Sequence, residues 1–576
     1  MKKKLLLTLL LGVFCFSCAA AEEKVSFFSR EYPVLCCEPE LTLEDNWKLF
    51  FTDDAEDMPW IELEELADIL TLLERDIYGM NSFVLTYDQE GVIYTLQREN
   101  GCRMIADSSD NTLTFDNYNG FVMRPNMDSL QDLLYYSGFN ENGEAELFQR
   151  DTLASYDRMG DIIVIPLDDY DIHLMTVDGK GYIPLQTVND FLFAPLMNRV
   201  LLFNGNSVFF ARKDDMIDAS TYELTPLGSL YYSAEPTDRS ETLAEYCKNE
   251  LCLMLDYLYG LKQRHNIVSF GRLFWQIGFD EPLASTSAVD ADNALKLFIN
   301  YFLDDLHSVF SLPSWMTGIS AELSSGYGAS ALMVINHEDE YKAVRSRVMD
   351  GEVSDYMEVG NTAYVTFDEF LSGYDAASYY NAAADNQRID DTIGLIVYAN
   401  AQIKRENSPI ENVVIDLSNN TGGDADAALY VISWILGQAE ICVDDSMTGA
   451  QSTMVYRADV NLDRIFDEND TLQGKRVFCL ISPVSFSCGN LVPAVCKANQ
   501  AVTLIGRTSG GGSCMIMKMT SACGSMFTIS GNKRLAFRKN GSFYDIDEGV
   551  APDVYISNLE TLYDRPRLTE LINSLP

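Results

Sequence analysis

The chain has 576 residues, of which 47% are hydrophobic and 22% are charged, a composition typical of globular protein. A chain of this length exceeds what one hydrophobic core supports, so several domains are expected. The formal net charge of −45 argues against nucleic acid and anionic membrane surfaces as partners, because clustered Lys and Arg side chains bind both.

Residues 1–21 predict an export signal, since three lysines precede a short apolar run and small residues follow it. The run is too short to cross a membrane as a helix. Two processing outcomes stay open. Residues 17–19 resemble a bacterial lipoprotein cleavage box, in which Cys18 would be lipidated, whereas residues 19–21 suit ordinary signal peptidase. We therefore expect an exported bacterial protein, secreted or held in the cell envelope by that lipid anchor.

Residues 24–236 predict a β-rich α+β module. Short alternating strands such as 91–97 and 208–212 are separated by Asn, Gly and Asp turns. Residues 59–70 and 181–193 form a weak repeat of a strand followed by an amphipathic helix; two unrelated junctions are the alternative. The repeat resembles the copper-amine-oxidase-N-terminal-like modules of exported bacterial proteins. No histidine or acid cluster in the segment indicates chemistry, so we expect a binding or spacer role.

Residues 237–311 predict a helical segment, because apolar residues recur at three-and-four spacing in 243–260 and 294–310. From residue 312 to residue 576, buried strands such as 412–417 alternate with helices. This alternation predicts an α/β core that carries the chemistry, preceded by a helical lead-in.

Residues 484–513 contain the most suggestive turn of the chain. An apolar strand runs into small residues around Ser487, and a helix-like segment and a run of glycines follow. Several hydrolases hold a nucleophilic serine on such a turn, beside backbone N–H groups. The alternative is an ordinary turn with Ser487 as helix N-cap. Pro493 favours a helix that begins later or is kinked.

Five motifs in a fixed order surround this turn. They are DLHS at 305–308, DLSNNTGG at 416–423, the SCGN turn at 487–490, a glycine loop at 506–512, and DEGVAPD at 547–553. Together they resemble the C-terminal-processing, or tail-specific, and tricorn-like serine peptidase superfamily. The resemblance implies a crotonase-like α/β spiral core, a peptide or protein substrate, and neither a metal nor an organic cofactor.

The resemblance implies Ser487 as nucleophile and histidine as its base. The glycine loop lacks the lysine that the processing branch uses, so the histidine-containing branch fits better. Of the four histidines in the chain, His307 alone lies in the family motif. A base is required because a free serine hydroxyl is a poor nucleophile. Ser308 would assist the histidine or merely cap the segment.

Backbone N–H groups of Gly422, Gly423 and Cys488 are expected to hold the oxyanion. Asp547 or Glu548 would orient the base, and the residue pattern leaves both open. The expected function is peptide-bond hydrolysis, with two alternatives: an inactive, peptidase-like surface lipoprotein that binds a partner, and an esterase or acyl transferase using the same serine. The 13 cysteines show no metal-binding Cys/His array, and their disulfide pattern and the oligomeric state stay open.

Overall fold

The computed structural model describes residues 26–36, 46–78, 84–122, 130, 133–134, 147–150, 156–197, 199–324, 326–351, 353–373, 375–385 and 387–576. The predicted export signal and Cys18 lie outside these residues. Among the described helices, none combines the length and the apolarity needed to cross a bilayer.

The N-terminal part is built mainly from strands. They are β1 (Phe27–Cys36), β2 (Asn46–Thr52), β3 (Ala55–Glu62), β4 (Leu85–Glu90), β5 (Ile93–Arg98), β6 (Arg103–Asp107), β7 (Thr112–Phe115), β8 (Phe148–Arg150), β9 (Tyr156–Arg158), β10 (Ile163–Pro166), β11 (Met175–Val177), β12 (Lys180–Pro184), β13 (Val200–Phe203) and β14 (Val208–Ala211). The helices are α1 (Leu63–Tyr78), α2 (Tyr118–Val122), α3 (Leu185–Val188), α4 (Ala194–Met197), α5 (Lys213–Met216) and α6 (Pro226–Tyr231), with a 3₁₀ turn at Leu167–Tyr170 and a π-helical turn at Asn189–Phe193.

Two sheets hold twelve of these fourteen strands, all except β8 and β9. One has seven strands in the order β11-β12-β3-β2-β1-β14-β13, and the other has five in the order β10-β7-β6-β5-β4. In β5, Tyr94 and Leu96 are buried and the residues between them are more exposed, the alternation that a one-sided strand requires. The two similar sequence segments meet here, because β12 pairs antiparallel with β3 and Ile183 lies opposite Ile61. A helix follows each of these two strands, α1 after β3 and α3 after β12.

A helical segment follows, and it starts at Ser240, whose hydroxyl caps the Leu243 N–H at 3.0 Å. Its helices are α7 (Glu241–Leu258), α8 (Phe270–Ile277), α9 (Asp280–Leu283) and α10 (Ala288–Leu297), and a π-helical turn at Phe298–Leu303 continues α10. The predicted helix over 294–310 therefore ends early. Asp304 takes the left-handed conformation, with φ 45°, and the chain turns into a strand, which a helix cannot enter without such a break.

The C-terminal part mixes strands and helices. The strands are β15 (Val309–Leu312), β16 (Tyr356–Val359), β17 (Thr362–Thr366), β18 (Asn412–Asp416), β19 (Ala439–Asp445), β20 (Gln451–Ala458), β21 (Arg476–Ile481), β22 (Val502–Gly506), β23 (Cys514–Thr520), β24 (Met526–Lys539), β25 (Ser542–Tyr544) and β26 (Val554–Tyr555). The helices are α11 (Ala329–Val348), α12 (Ala376–Ala384), α13 (Thr392–Lys404), α14 (Ala425–Leu436), α15 (Cys488–Ala498), α16 (Glu560–Tyr563) and α17 (Arg565–Ser574), with a 3₁₀ turn at Glu468–Asp470.

A six-stranded sheet positions the predicted chemistry. Its order is β16-β17-β18-β21-β22-β26, and every neighbouring pair from β17 onward is parallel. β17 and β18 are buried at every position because helices cover both faces, which explains their continuous apolar runs. Parallel strands end at the same edge, so the loop after β18 and the turn after β21 lie side by side. The mixed α/β architecture agrees with the prediction.

The predicted domain boundaries do not coincide with the sheets. β8 and β9 come from the stretch assigned to the N-terminal module, yet both pair with β20 in a sheet of the C-terminal part. β15, placed before the predicted core, pairs with β24 of the same sheet. Strands pair through backbone hydrogen bonds. The sequence of one strand therefore does not show which distant strand it pairs with.

Candidate active site

Ser487 sits on the turn between β21 and α15. Its φ of 54° and ψ of −122° lie in a region that costs a non-glycine residue about 1–3 kcal/mol. Ser487 occupies the N-cap position of α15, but its side chain accepts no hydrogen bond from a helix N–H, so its hydroxyl does not cap the helix. The helix begins directly after Ser487, so of the two expectations the later start is wrong, and Pro493 lies inside the helix. A partly exposed serine on such a strained strand–helix turn matches the nucleophile turn of hydrolases.

The neighbouring loops hold this turn rigidly. The Ser487 N–H donates to the carbonyl of Gly511 at 2.9 Å, which ties it to the glycine loop. On the other side, the Phe486 N–H donates to the carbonyl of Asn420 at 3.1 Å. The Ser485 hydroxyl donates to the Leu417 carbonyl at 2.7 Å. The turn is therefore held by the glycine loop and by the loop after β18, both of which belong to the motifs found in the sequence.

The glycine pair after β18 touches the serine. Gly422 and Gly423 have φ of 112° and 127°, values that favour glycine. A Cβ atom on Gly422 would lie 2.8 Å from the Ser487 Cβ and 3.3 Å from its Oγ. The Gly422 N–H is already used, since it donates to Asn420 Oδ1 at 3.0 Å. Within the described ranges, the N–H groups of Gly423 and Cys488 form no hydrogen bond. These two donors are free to bind an oxyanion.

His307 lies in the turn between the end of the π-helical turn and β15. Its side chain is buried, and its ring packs against the Phe486 ring with centroids 4.8 Å apart. Its Nε2 is buried and has no hydrogen-bond partner among the residues described. Burial lowers the pKa of His307, and the nearby carboxylates of Asp305 and Asp547 oppose that shift. The imidazole is therefore held neutral, the form that accepts a proton.

Asp305 builds the turn that carries His307. Its Oδ1 accepts the His307 and Ser308 N–H groups at 3.2 and 2.9 Å. The hydroxyls of Ser308, Ser530 and Tyr259 add hydrogen bonds of 2.8, 2.7 and 2.7 Å. The Ser308 hydroxyl thus donates to Asp305, and it also accepts the Ser530 N–H at 3.1 Å. Asp305 belongs to the DLHS motif, but the sequence did not show that it anchors the turn that carries His307.

The two candidate acids differ in placement. Asp547 is partly buried and accepts the Ser513 N–H at 3.0 Å, and its negative charge acts to raise the pKa of His307. The side chain of Glu548 is 85% exposed and pairs with Arg264 at 2.8 Å. Of these two acids, Asp547 is therefore the one whose charge acts on His307, after the larger effect of Asp305. Arg264 was not predicted, because nothing near it in the sequence marks a site.

His307 and Ser487 are brought into the same cluster but form no hydrogen bond with each other in the described structure. In enzymes without substrate, catalytic hydrogen bonds are often long, and they tighten only when the substrate binds. Among the described residues, no group of three or more His, Cys, Asp or Glu side chains is arranged to hold a metal ion.

Comparison with known proteins agrees with the resemblance seen in the sequence. Residues 361–556 match the model of peptidase family S41. A Chlamydia pneumoniae protein, CPj1016/CpB1054, is 32% identical over 102 residues, which are 18% of this chain and 16% of that protein. The match therefore spans less than a fifth of that relative's length.

Two solved structures show a lower likeness. Mature CPAF complexed with lactacystin is 11% identical, with a TM-score of 0.37, over 58% of this chain and 97% of that one. The photosystem II D1 C-terminal processing protease is 18% identical, with a TM-score of 0.24, over 34% and 42% of the two chains. The family assignment depends on the sequence match, which includes the glycine pair, the Ser487 turn and the glycine loop. Residues 361–556 of this chain are a domain of peptidase family S41.

Proposed function

We propose that this protein is an exported serine peptidase that hydrolyses peptide bonds through Ser487. The observation that carries the proposal is the cluster at the sheet edge. Ser487 is strained and partly exposed, and it contacts Gly422. The His307 ring packs against the Phe486 ring, and its Nε2 has no hydrogen-bond partner among the described residues. The family match supports serine peptidase chemistry. A crotonase-like spiral for this core is part of the same proposal.

In the proposed reaction, Ser487 Oγ attacks the carbonyl carbon of a peptide bond. His307 accepts the hydroxyl proton at Nε2 and returns it to the leaving amine. The N–H groups of Gly423 and Cys488 donate to the oxyanion, with Gly422 shaping the space beside Ser487. Water then attacks the acyl-enzyme carbonyl while His307 accepts its proton, and His307 returns that proton to Ser487 Oγ as the acyl–oxygen bond breaks and the carboxylic acid leaves. Asp547 stabilises the imidazolium that forms in both steps.

Export and the lipid anchor at Cys18 stay part of the proposal. The lysine-apolar-small pattern of residues 1–21 supports export. The described part of the chain adds a disulfide between Cys247 and Cys523, a bond typical of oxidising compartments. The N-terminal module, with its paired repeat strands, would serve as a binding or spacer unit.

A second candidate is an inactive, peptidase-like binding protein. The observation in its favour is that His307 and Ser487 share no hydrogen bond. An esterase or acyl transferase would use the same serine, and it is separated from a peptidase by substrate alone.

The test is labelling of the full chain with a fluorophosphonate, followed by digestion of a peptide library. We expect labelling to be lost in S487A and slowed by about 100-fold or more in H307N, since general-base catalysis contributes about that much. S557A and H337N, which change an exposed serine and a helical histidine, should label normally. Labelling that persists in S487A would overturn the nucleophile assignment. Intact labelling without peptide cleavage would favour the esterase.

A further inference from the structure

Arg264, from the loop after α7, contacts three carboxylates of the loop that carries Asp547. Its guanidinium lies 3.2 Å from Asp547, 2.8 Å from Glu548 and 3.4 Å from Asp545. The arginine side chain is 28% exposed, so water screens the cluster only in part. Arg264 lies outside the segment that matches the family model.

We propose that Arg264 is a positioning residue that fixes Asp547 and offsets its charge, and thereby sets the pH at which His307 becomes an active base. This inference rests on the proposed function. It goes further because it assigns the control of the base to a residue of the helical segment.

The geometry gives Arg264 two routes to the site. The first is structural, because the backbone of Asp547 supports the glycine loop. The Gly512 N–H donates to the Asp547 carbonyl at 3.3 Å, and Gly511 has no room for a side chain beside that carbonyl. The Ser487 N–H in turn donates to Gly511. Arg264 therefore reaches the serine turn through two loops.

The second route is electrostatic. The groups that act on His307 are Asp305 in its own turn and Asp547 in the acidic loop. The Tyr259 hydroxyl donates to Asp305 at 2.7 Å and contacts His265 Nδ1 at 3.4 Å. On the other side of the cluster, Cys514 is close enough to feel the charges of Asp547 and Asp305, and Arg534 lies 3.7 Å from Asp545. Arg264 adds a positive charge bound directly to Asp547, so it lowers the negative potential at His307. Without that charge the imidazolium would be favoured, and the pKa of His307 would rise.

A base with a raised pKa stays protonated, and therefore inactive, up to a higher pH. In R264Q, the acid limb of the labelling rate of Ser487 should move upward by about 0.5 to 1 pH unit. R264K keeps the charge and should stay near the unchanged protein. R347Q removes an exposed arginine that pairs with Glu560, and it should have no effect.

The experiment measures two quantities on the full chain. The first is the fluorophosphonate labelling rate against pH. The second is the pKa of His307 from NMR of histidine labelled with ¹³C at Cε1, assigned by H307N. Unfolding midpoints of all variants show whether the fold is kept. A raised His307 pKa in R264Q, and not in R264K, supports the proposal, and an unchanged pKa in R264Q overturns it.

The two readouts separate this proposal from the proposed function. If the unchanged protein fails to label at Ser487, the peptidase assignment fails, while the NMR titration still decides the role of Arg264. A raised pKa in both R264Q and R264K would show that packing, and not charge, is what Arg264 supplies, and would overturn the electrostatic part.

Discussion

The backbone at Gly422 determines how closely the loop after β18 can approach Ser487. Its φ of 112° and the 2.8 Å spacing from its notional Cβ to the Ser487 Cβ leave no room for a side chain. The same loop uses the Asn420 side chain to hold the Gly422 N–H. Glycine is therefore required here both for conformation and for space.

We predict that G422A loses fluorophosphonate labelling and is destabilised by about 2–4 kcal/mol, since it combines an unfavourable φ with a steric clash. The measurement is denaturant unfolding together with the labelling rate. G91A is the matched control, because Gly91 also has positive φ but has open space around it. It should cost about 1 kcal/mol and label normally. Equal behaviour of the two variants would contradict the contact argument.

At the scale of elements, α7 packs against the π-helical turn Asn189–Phe193 through two buried acids. Glu250 accepts the Thr187 hydroxyl at 2.7 Å, and Asp190 accepts the Gln186 amide at 2.7 Å. Burial raises the pKa of Glu250 to about 7, and burial with the charge of Glu250 raises the pKa of Asp190. The pair therefore carries a proton in the folded protein near pH 6, where the unfolded chain would not.

This proton makes stability depend on pH. The pKa of Glu250 is higher in the folded state, so its stabilising contribution is complete below about pH 4.5 and is lost as the pH rises through about 7. We predict that the urea midpoint of the unchanged protein falls over this range more steeply than that of E250Q, which stays neutral. E245Q, an exposed change on the same helix, is the control and should keep the steep fall. Parallel curves for E250Q and the unchanged protein would refute the prediction.

At the scale of the whole molecule, one disulfide joins parts that are far apart in the chain. Cys247 on α7 is bonded to Cys523, in the turn between β23 and β24, across 276 residues. β24 pairs with β15, β19, β23 and β25, and it contacts the loop after α7, since the Gly260 N–H donates to the Ser530 carbonyl at 2.8 Å. Closing so long a loop removes much conformational freedom from the unfolded chain.

We expect the double variant C247S/C523S to unfold at lower denaturant concentration, by about 2–5 kcal/mol. Peptide mapping without reductant should find the two cysteines linked. Adding reductant should lower the unfolding midpoint of the unchanged protein but not that of the double variant. C102S, at a partly exposed cysteine that is free in the structure, should leave the midpoint within about 0.5 kcal/mol. A midpoint that does not respond to reductant would rule out the bond as a source of stability.

The sequence by itself determined the strands and the motifs that depend on local patterns. The apolar run of β18 is continuous because both faces of a parallel strand are buried, and the glycines after it could be identified because they permit positive φ. Four of the five motifs lie within residues 361–556, the segment that matches the family model, and the DLHS motif at 305–308 precedes it. Such features are local, so they are visible in one chain read from end to end.

Only the tertiary structure decided which distant groups meet. It placed His307 against Phe486, directed the Ser308 hydroxyl to Asp305, and separated Asp547 from the exposed Glu548. It also brought Arg264 to the loop that carries Asp547 and paired β8 with β20, two contacts that no local sequence pattern indicates. The physical reason is that charge, burial and strand pairing depend on distances in space, and the chain sets these only when all its buried surfaces pack together.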